Sequence, residues 1–161
     1  MDHPDFIQAV IARPQGGSWR GRFVHHHGAP GDLGPILHQL AHDTRHDIEP
    51  LTRALLEEHH GWNHLAPDDQ SLGDCRCHDP QPANPTWPDT DPATPGQSAS
   101  ARYAYILSPE AMKVEVRIGS DWRHLATVRH ARNVGQLTFD LMTTRAHRLL
   151  EAAAWRSDPL N

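Results

Sequence analysis

Two cysteines and a histidine lie within one short segment of the chain, Cys75-Arg76-Cys77-His78. Thiolate and imidazole are the ligands that zinc prefers in proteins, and a short segment can direct neighbouring side chains at one ion. We therefore predict a zinc site with Cys75, Cys77 and His78 as ligands. The alternative is a pair of reduced, partly buried cysteines without a metal, because the spacing lacks the paired C-x-x-C motifs of a zinc ribbon.

A fourth ligand must come from another part of the chain, because structural zinc sites are tetrahedral. His25 is the first choice, since it lies at the end of the buried face of a predicted strand; His64 and His60 are the next candidates. No catalytic residue is predicted. The predicted ligand-binding residues around the same site are His25, Trp62, Arg22 and Arg76.

The chain contains 14 histidines, and three of them follow helical spacing: His38, His42 and His46. On a helical wheel they lie at about 100°, 140° and 180° from Leu37, which is in the apolar stripe. This position predicts a row that faces solvent, although adjacent pairs have the spacing to chelate a metal. Surface histidines titrate alike in the folded and unfolded chain, so we expect a stability that is flat between about pH 7.5 and 5.5.

Length and composition favour a single domain, 1–161, with a formal net charge of −5. No apolar run approaches the roughly 18 residues of a membrane span, and the amino terminus does not resemble a signal peptide, so we expect a cytoplasmic protein. The acidic balance argues against a dedicated nucleic-acid binder. No nucleophile elbow, phosphate-binding loop, dinucleotide fingerprint or H-E-x-x-H motif is present.

Apolar periodicity and turn residues predict the element order ββααβββα, an α+β fold. Five strands would form an antiparallel sheet, covered by a helix pair and a C-terminal helix. Asp32 and Asp47 are the predicted caps of the paired helices, and Gly61 would end the second one. Residues 79–100 contain six of the 14 prolines and predict an irregular loop, whereas residues 134–156 predict the C-terminal helix.

Several segments together resemble a group of small actinobacterial and actinophage proteins with no assigned activity. The first is Val24-His25-His26-His27-Gly28-Ala29-Pro30, similar to a V-H-x-x-G-x-P signature. A G-W pair at Gly61-Trp62, the C-x-C-H segment, the aromatic strand Tyr103-Ala104-Tyr105 and Trp122 also match. The resemblance covers residues 19 to 128 and implies a site at His25, Trp62, Cys77 and His78. The proline-rich insertion and the long C-terminal helix depart from the group.

These observations predict an accessory protein of phage or mobile-element origin that binds a ligand or a partner and is not an enzyme. The expected partners are a small anionic ligand or a host protein, without a membrane, and the C-terminal helix is the candidate surface for homo-oligomers. One alternative is a zinc-dependent hydrolase, in which the metal activates water. A second alternative is an arginine-mediated binder of nucleotides or nucleic acid, since guanidinium groups bind phosphate in a bidentate manner.

Overall fold

The computed structural model describes residues 7–24, 27–57, 95 and 100–157 of the chain. Within these ranges the elements follow the predicted order ββααβββα, which confirms an α+β fold. The elements are β1 (Ala9–Gln15), β2 (Ser18–Val24), α1 (Pro30–Asp43), α2 (Glu49–Leu56), β3 (Tyr103–Leu107), β4 (Ala111–Ile118), β5 (Asp121–Arg129) and α3 (Gln136–Ser157). None of the described helices has the length and apolar character needed to cross a membrane.

The described strands form one sheet in the order β2-β1-β3-β4-β5. All neighbouring pairs are antiparallel except β1 and β3, which run parallel, so the prediction of a wholly antiparallel sheet is wrong at this pair. The chain leaves β2 at Val24, opposite the start of β1 at Ala9, and β3 begins beside Ala9 at Tyr103. The alternation of apolar side chains is the same in both kinds of pairing, and therefore it does not reveal strand direction.

Two helix starts differ from the sequence prediction. Helix α1 begins at Pro30 with Ala29 at the N-cap, so Asp32 lies in the first turn instead of capping the helix. Helix α2 has Ile48 at the N-cap, and Asp47 acts from one residue earlier, where its Oδ1 accepts a hydrogen bond from the Glu49 N–H at 3.1 Å. The predicted end at Gly61 and nearly all of the proline-rich segment lie outside the described residues.

Both faces of the sheet bury apolar side chains. On one face Ile11, Tyr105 and Val114 pack with residues of all three described helices. On the opposite face Val10, Ala12, Trp19, Ala104 and Ile106 form a second buried cluster. Strands β1 and β3 therefore have apolar residues on both sides, as is usual for strands at the centre of a layered sheet.

The main helix partner of α1 is α3 and not α2. Gly34 of α1 permits this approach, because a Cβ at that position would lie 2.4 Å from Cδ1 of the Phe139 ring. The amide of Gly31 donates a hydrogen bond to Oγ1 of Thr143 at 3.0 Å, and Nε2 of Gln136 donates to the Gly31 carbonyl at 2.6 Å. These contacts join the amino-terminal half of α1 to α3.

Candidate ligand-binding site

Most of the residues predicted to form the site lie outside the described part of the chain. This is the case for His25, Trp62, Cys75, Arg76, Cys77 and His78, and also for His60 and His64. The predicted zinc site and its surroundings therefore stay a prediction. Within the described ranges, no group of three histidine, cysteine or acidic side chains has the arrangement needed to hold a metal ion.

Of the four predicted ligand-binding residues, Arg22 lies within the described part of the chain. It lies on the face of β2 that the helices cover, and only 4% of its surface is exposed. Its Nε donates a hydrogen bond to the carbonyl of Leu56, the last residue of α2, at 3.0 Å. A carbonyl at a helix end has no partner within its own helix, so this contact satisfies it and attaches α2 to the sheet.

Gly28, just before α1, is held tightly against the sheet. Gly28 donates its N–H to the Ile7 carbonyl at 2.8 Å, and its own carbonyl accepts a hydrogen bond from the Tyr105 hydroxyl at 2.7 Å. A Cβ at Gly28 would lie 2.6 Å from Cβ of Ala9, so only glycine fits there. His27 has a φ of 53°, in the left-handed region, and Pro30 starts α1. Close packing therefore explains the glycine of the V-H-x-x-G-x-P segment, and the start of α1 explains its proline.

Replacing Tyr105 with phenylalanine is expected to lower the free energy of unfolding by about 1 kcal/mol, because the buried Gly28 carbonyl loses its donor. Burial raises the pKa of Tyr105 well above its ordinary value, with Tyr103 and Asp32 adding to the effect, so the hydroxyl keeps its proton. Urea denaturation measures the loss. Tyr103→Phe, on the same face of β3, is the control and should lose less. Equal losses would show that the Gly28 hydrogen bond is not the cause.

A cavity of about 380 Å³ opens on the sheet face opposite the helices. We call it the tryptophan cavity, and its main lining residues are Trp19, Ile106, Ser108, Lys113, Glu115 and Trp122. The two indole rings meet edge to face, with centroids 5.4 Å apart and an angle of 81° between their planes. Aromatic pairs favour this geometry because the positive edge of one ring meets the negative face of the other.

Glu115 organises the polar side of the tryptophan cavity. It is 8% exposed, and its Oε2 accepts a hydrogen bond from the Trp19 indole N–H at 3.1 Å. Its Oε1 forms an ion pair with Nζ of Lys113, the single lysine of the chain. Charged and apolar residues alternate along β4, yet Glu115 is buried, and Trp19 and Lys113 satisfy its carboxylate.

Trp122 reaches this face because of an irregularity in the pairing of β4 with β5. The register shifts between Val114 and Glu115, so that Arg117 pairs with Trp122. Because successive side chains in a strand point to opposite faces, a shift of one residue changes which face each side chain occupies. Trp122 thus lies on the same side as Glu115, and its indole N–H donates to the Pro95 carbonyl at 3.1 Å.

A second cavity, of about 310 Å³, lies where the start of α1 meets α3 and the start of β3. Its polar lining consists of Asp32, Arg102, Tyr103, Thr143 and His147. Asp32 and His147 are exposed, and Thr143 already accepts the Gly31 N–H. The candidate site is therefore the tryptophan cavity, where a buried carboxylate holds both an aromatic ring and a cation in place.

The prediction that His38 faces solvent is wrong. Only 3% of its surface is exposed, and its ring lies 5.9 Å from the Phe139 ring and 6.0 Å from the His42 ring. Nδ1 of His42 donates a hydrogen bond to the carbonyl of His130 at 2.7 Å. On the helical wheel His38 lies beside the apolar stripe of α1. It is buried because α3 covers this side of α1 as well. His46, in contrast, is exposed as predicted.

His130 forms a cluster with His38, which is buried like His130, and with the half-buried His42. It is 1% exposed, and its Nε2–H donates to the Ser108 carbonyl at 2.7 Å, whereas its Nδ1 has no hydrogen-bond partner. Neither ring nitrogen of His38 makes a hydrogen bond of good geometry. Burial is the main cause that lowers the pKa of His38; a weak hydrogen bond with the Arg132 backbone acts in the opposite direction, and the nearby His42 and His130 lower the pKa further.

Comparison of the chain with protein-family models, with curated proteins and with solved structures finds no match in any of the three.

Proposed function

We propose that the protein is a non-enzymatic binding module that takes a small planar ligand into the tryptophan cavity. The observation that carries this proposal is the pairing of Glu115 with both the Trp19 indole and the Lys113 ammonium group. A buried carboxylate with two such partners fixes an aromatic ring and a cation side by side before a ligand arrives. Preorganisation of this kind favours binding, because less conformational entropy is lost when the ligand arrives.

The lining defines the chemistry of the ligand. Both indole N–H groups already have acceptors, Glu115 and the Pro95 carbonyl, so the rings offer aromatic surface instead of donors. Lys113 is half-exposed, and its ammonium group has further N–H bonds beyond the one that Glu115 accepts. A flat ring bearing an anionic group therefore fits, with the ring on the tryptophans and the anion on Lys113. The volume of about 380 Å³ lies within the range of small-molecule sites.

A mononucleotide has this chemistry. Every base has a flat face that stacks on aromatic side chains, and a lysine ammonium is a common partner of phosphate. A cytoplasmic location is part of the same proposal. So is an origin in an actinobacterium or its phage, which rests on the sequence segments quoted above. Such an origin makes a signalling nucleotide of the host a reasonable ligand.

Titration with adenosine monophosphate, adenosine and inorganic phosphate tests the proposal by thermal shift and tryptophan fluorescence. We expect adenosine monophosphate to raise the melting temperature most, adenosine to raise it less, and phosphate to have no effect. Trp122→Ala should weaken both ring-bearing probes alike, because both lose the stacking surface. If neither probe changes the melting temperature or the fluorescence, the proposed ligand class is wrong.

Lys113→Met is expected to weaken adenosine monophosphate binding by about tenfold, since a charge-assisted hydrogen bond contributes roughly 1.5 kcal/mol or more. Adenosine binding should change much less, because adenosine has no anionic group. Arg123→Met is the matched control: it removes an exposed cation from β5 that does not line the cavity. Isothermal titration calorimetry gives the dissociation constants. Equal weakening in both variants would indicate a general effect of net charge instead of a contact with Lys113.

A further inference from the structure

The second cavity contains a buried hydroxyl group that the fold itself does not use. Tyr103, at the start of β3, lines the cavity and is only 1% exposed. Its hydroxyl makes no hydrogen bond within the described part of the chain, and the little surface that the residue exposes includes the hydroxyl oxygen. Tyr105 differs in this respect, because its hydroxyl binds the Gly28 carbonyl. A buried polar group without a partner is unusual, and the Tyr103 hydroxyl is available to a ligand in the cavity.

The Tyr103 hydroxyl acts as a hydrogen-bond donor. Burial raises the pKa of Tyr103 above its ordinary value, against the smaller effect of the Arg102 charge, so the hydroxyl keeps its proton at neutral pH. The other hydroxyl of the lining belongs to Thr143, which accepts the Gly31 N–H at 3.0 Å and donates to the Phe139 carbonyl at 3.2 Å. Its one proton is therefore already used. A ligand must present an acceptor to Tyr103.

Charges of both signs surround this donor. Arg102 and Asp32 line the same cavity, and both also interact with other groups, so a ligand meets their charges and not unused hydrogen bonds. Helix α1 begins here, and its N-cap, Ala29, has no side chain that could cap the helix. The positive end of the helix dipole therefore favours a carboxylate at this place. A ligand with only an anionic group would be opposed by Asp32, and one with only a cationic group by Arg102.

We infer that the second cavity binds a free aliphatic α-amino acid, whose carboxylate accepts the Tyr103 hydroxyl and lies towards Arg102, while its ammonium group lies towards Asp32. The apolar part of the lining, Ile7 and Ala29, offers a surface for a short aliphatic side chain. The volume of about 310 Å³ is at the lower end of the range of small-molecule sites, as a molecule of this size requires. The site lies on the helix-covered side of the sheet and does not depend on the tryptophan cavity.

Three probes with the same side chain test this inference by isothermal titration calorimetry of the full chain at pH 7: L-valine, N-acetyl-L-valine and L-valinamide. Valine carries both charges, N-acetylvaline keeps only the carboxylate, and valinamide keeps only the ammonium group. We expect valine to bind about tenfold more tightly than either derivative, because each derivative loses one charge-assisted contact. If valine does not bind, or if either derivative binds as tightly as valine, the inference is wrong.

Two substitutions test the roles of the lining residues. Tyr103→Phe should weaken valine binding by about tenfold, because the carboxylate loses its donor. Thr144→Val is the matched control: it removes a hydroxyl from an exposed position of α3 that does not line the cavity, and it should bind valine as the wild type does. Unchanged valine affinity in Tyr103→Phe overturns the inference.

Asp32→Asn tests the placement of the two charges. It should weaken valine binding, because the ammonium group loses its counter-charge, and it should bind N-acetylvaline more tightly than the wild type does, because the charge that opposes a lone carboxylate is removed. Circular dichroism checks that all three variants fold. Unchanged affinity for both probes in Asp32→Asn overturns the inference independently of Tyr103.

Discussion

Gly21→Ala is expected to lower the free energy of unfolding by at least about 3 kcal/mol, or to prevent folding. The reason is that the added methyl group would clash with backbone atoms of the neighbouring strand, which cannot move aside as a side chain can. A Cβ at Gly21 would lie 1.9 Å from the Ile11 carbonyl oxygen and 2.6 Å from Cα of Ala12. Ala12 is its partner in the hairpin of β1 and β2, so relief requires the two strands to separate. Trp19 lies two residues earlier on the same face, and therefore the tryptophan cavity would be lost as well.

Gly135→Ala is the control for this prediction. Gly135 precedes α3, and a Cβ there would meet nothing within 4 Å. The substitution should cost below about 1 kcal/mol, the usual range for alanine next to a helix start. Urea denaturation followed by circular dichroism measures both variants, and tryptophan fluorescence reports on Trp19 and Trp122. A Gly21→Ala protein as stable as Gly135→Ala would contradict the close approach of β1 and β2.

His38→Leu is expected to stabilise the protein by about 1–2 kcal/mol at pH 7.5, because a buried imidazole without a well-formed hydrogen bond is replaced by an apolar side chain of similar size. The gain should be greater at pH 5.5. Because the pKa of His38 is lowered from 6.5 in the fold, the unfolded chain binds a proton that the folded protein does not. Wild-type stability is thus complete above pH 6.5 and falls as the pH drops below that value.

Wild-type stability is expected to decrease between pH 7.5 and 5.5, because the unfolded chain takes up a proton at His38 that the folded protein excludes. This replaces the flat profile that the sequence suggested for surface histidines. His38→Leu should flatten the profile, whereas His46→Leu, at an exposed position beyond the end of α1, should leave the wild-type slope. Urea denaturation at several pH values provides the comparison. Identical slopes in the wild type and His38→Leu would show that His38 is not the group that titrates.

The order of elements was predictable because it depends on local signals. Turn residues at Gly16-Gly17 and Gly119-Ser120 separate apolar runs, and the structure has tight turns at both places. The expected C-terminal helix over 134–156 is found as Gln136–Ser157. The residues of β2 alternate between the two faces as a strand requires: Trp19 and Gly21 lie on one face and Arg22 on the other. Each of these features is set by neighbours within a few residues.

The candidate site was not predictable in the same way, because its members meet only through long-range pairing. Trp19 and Glu115 are 96 positions apart and lie in strands that do not pair with each other, and nothing near either residue in the sequence indicates the contact. Trp122 shares their face only because the register of β4 and β5 shifts by one residue. One signal in the sequence that points to this region is the single lysine of the chain, which lies two residues before a glutamate in β4.

The sequence by itself determined the α+β class and the succession of strands and helices, since these follow from residue periodicity and turn chemistry. Only the tertiary structure decided that β1 and β3 run parallel, that Trp122 joins Trp19, and that His38 is buried. The physical reason is common to all three. Direction, register and coverage by α3 depend on which distant segment packs against an element, and the periodicity of that element is the same whichever partner it has.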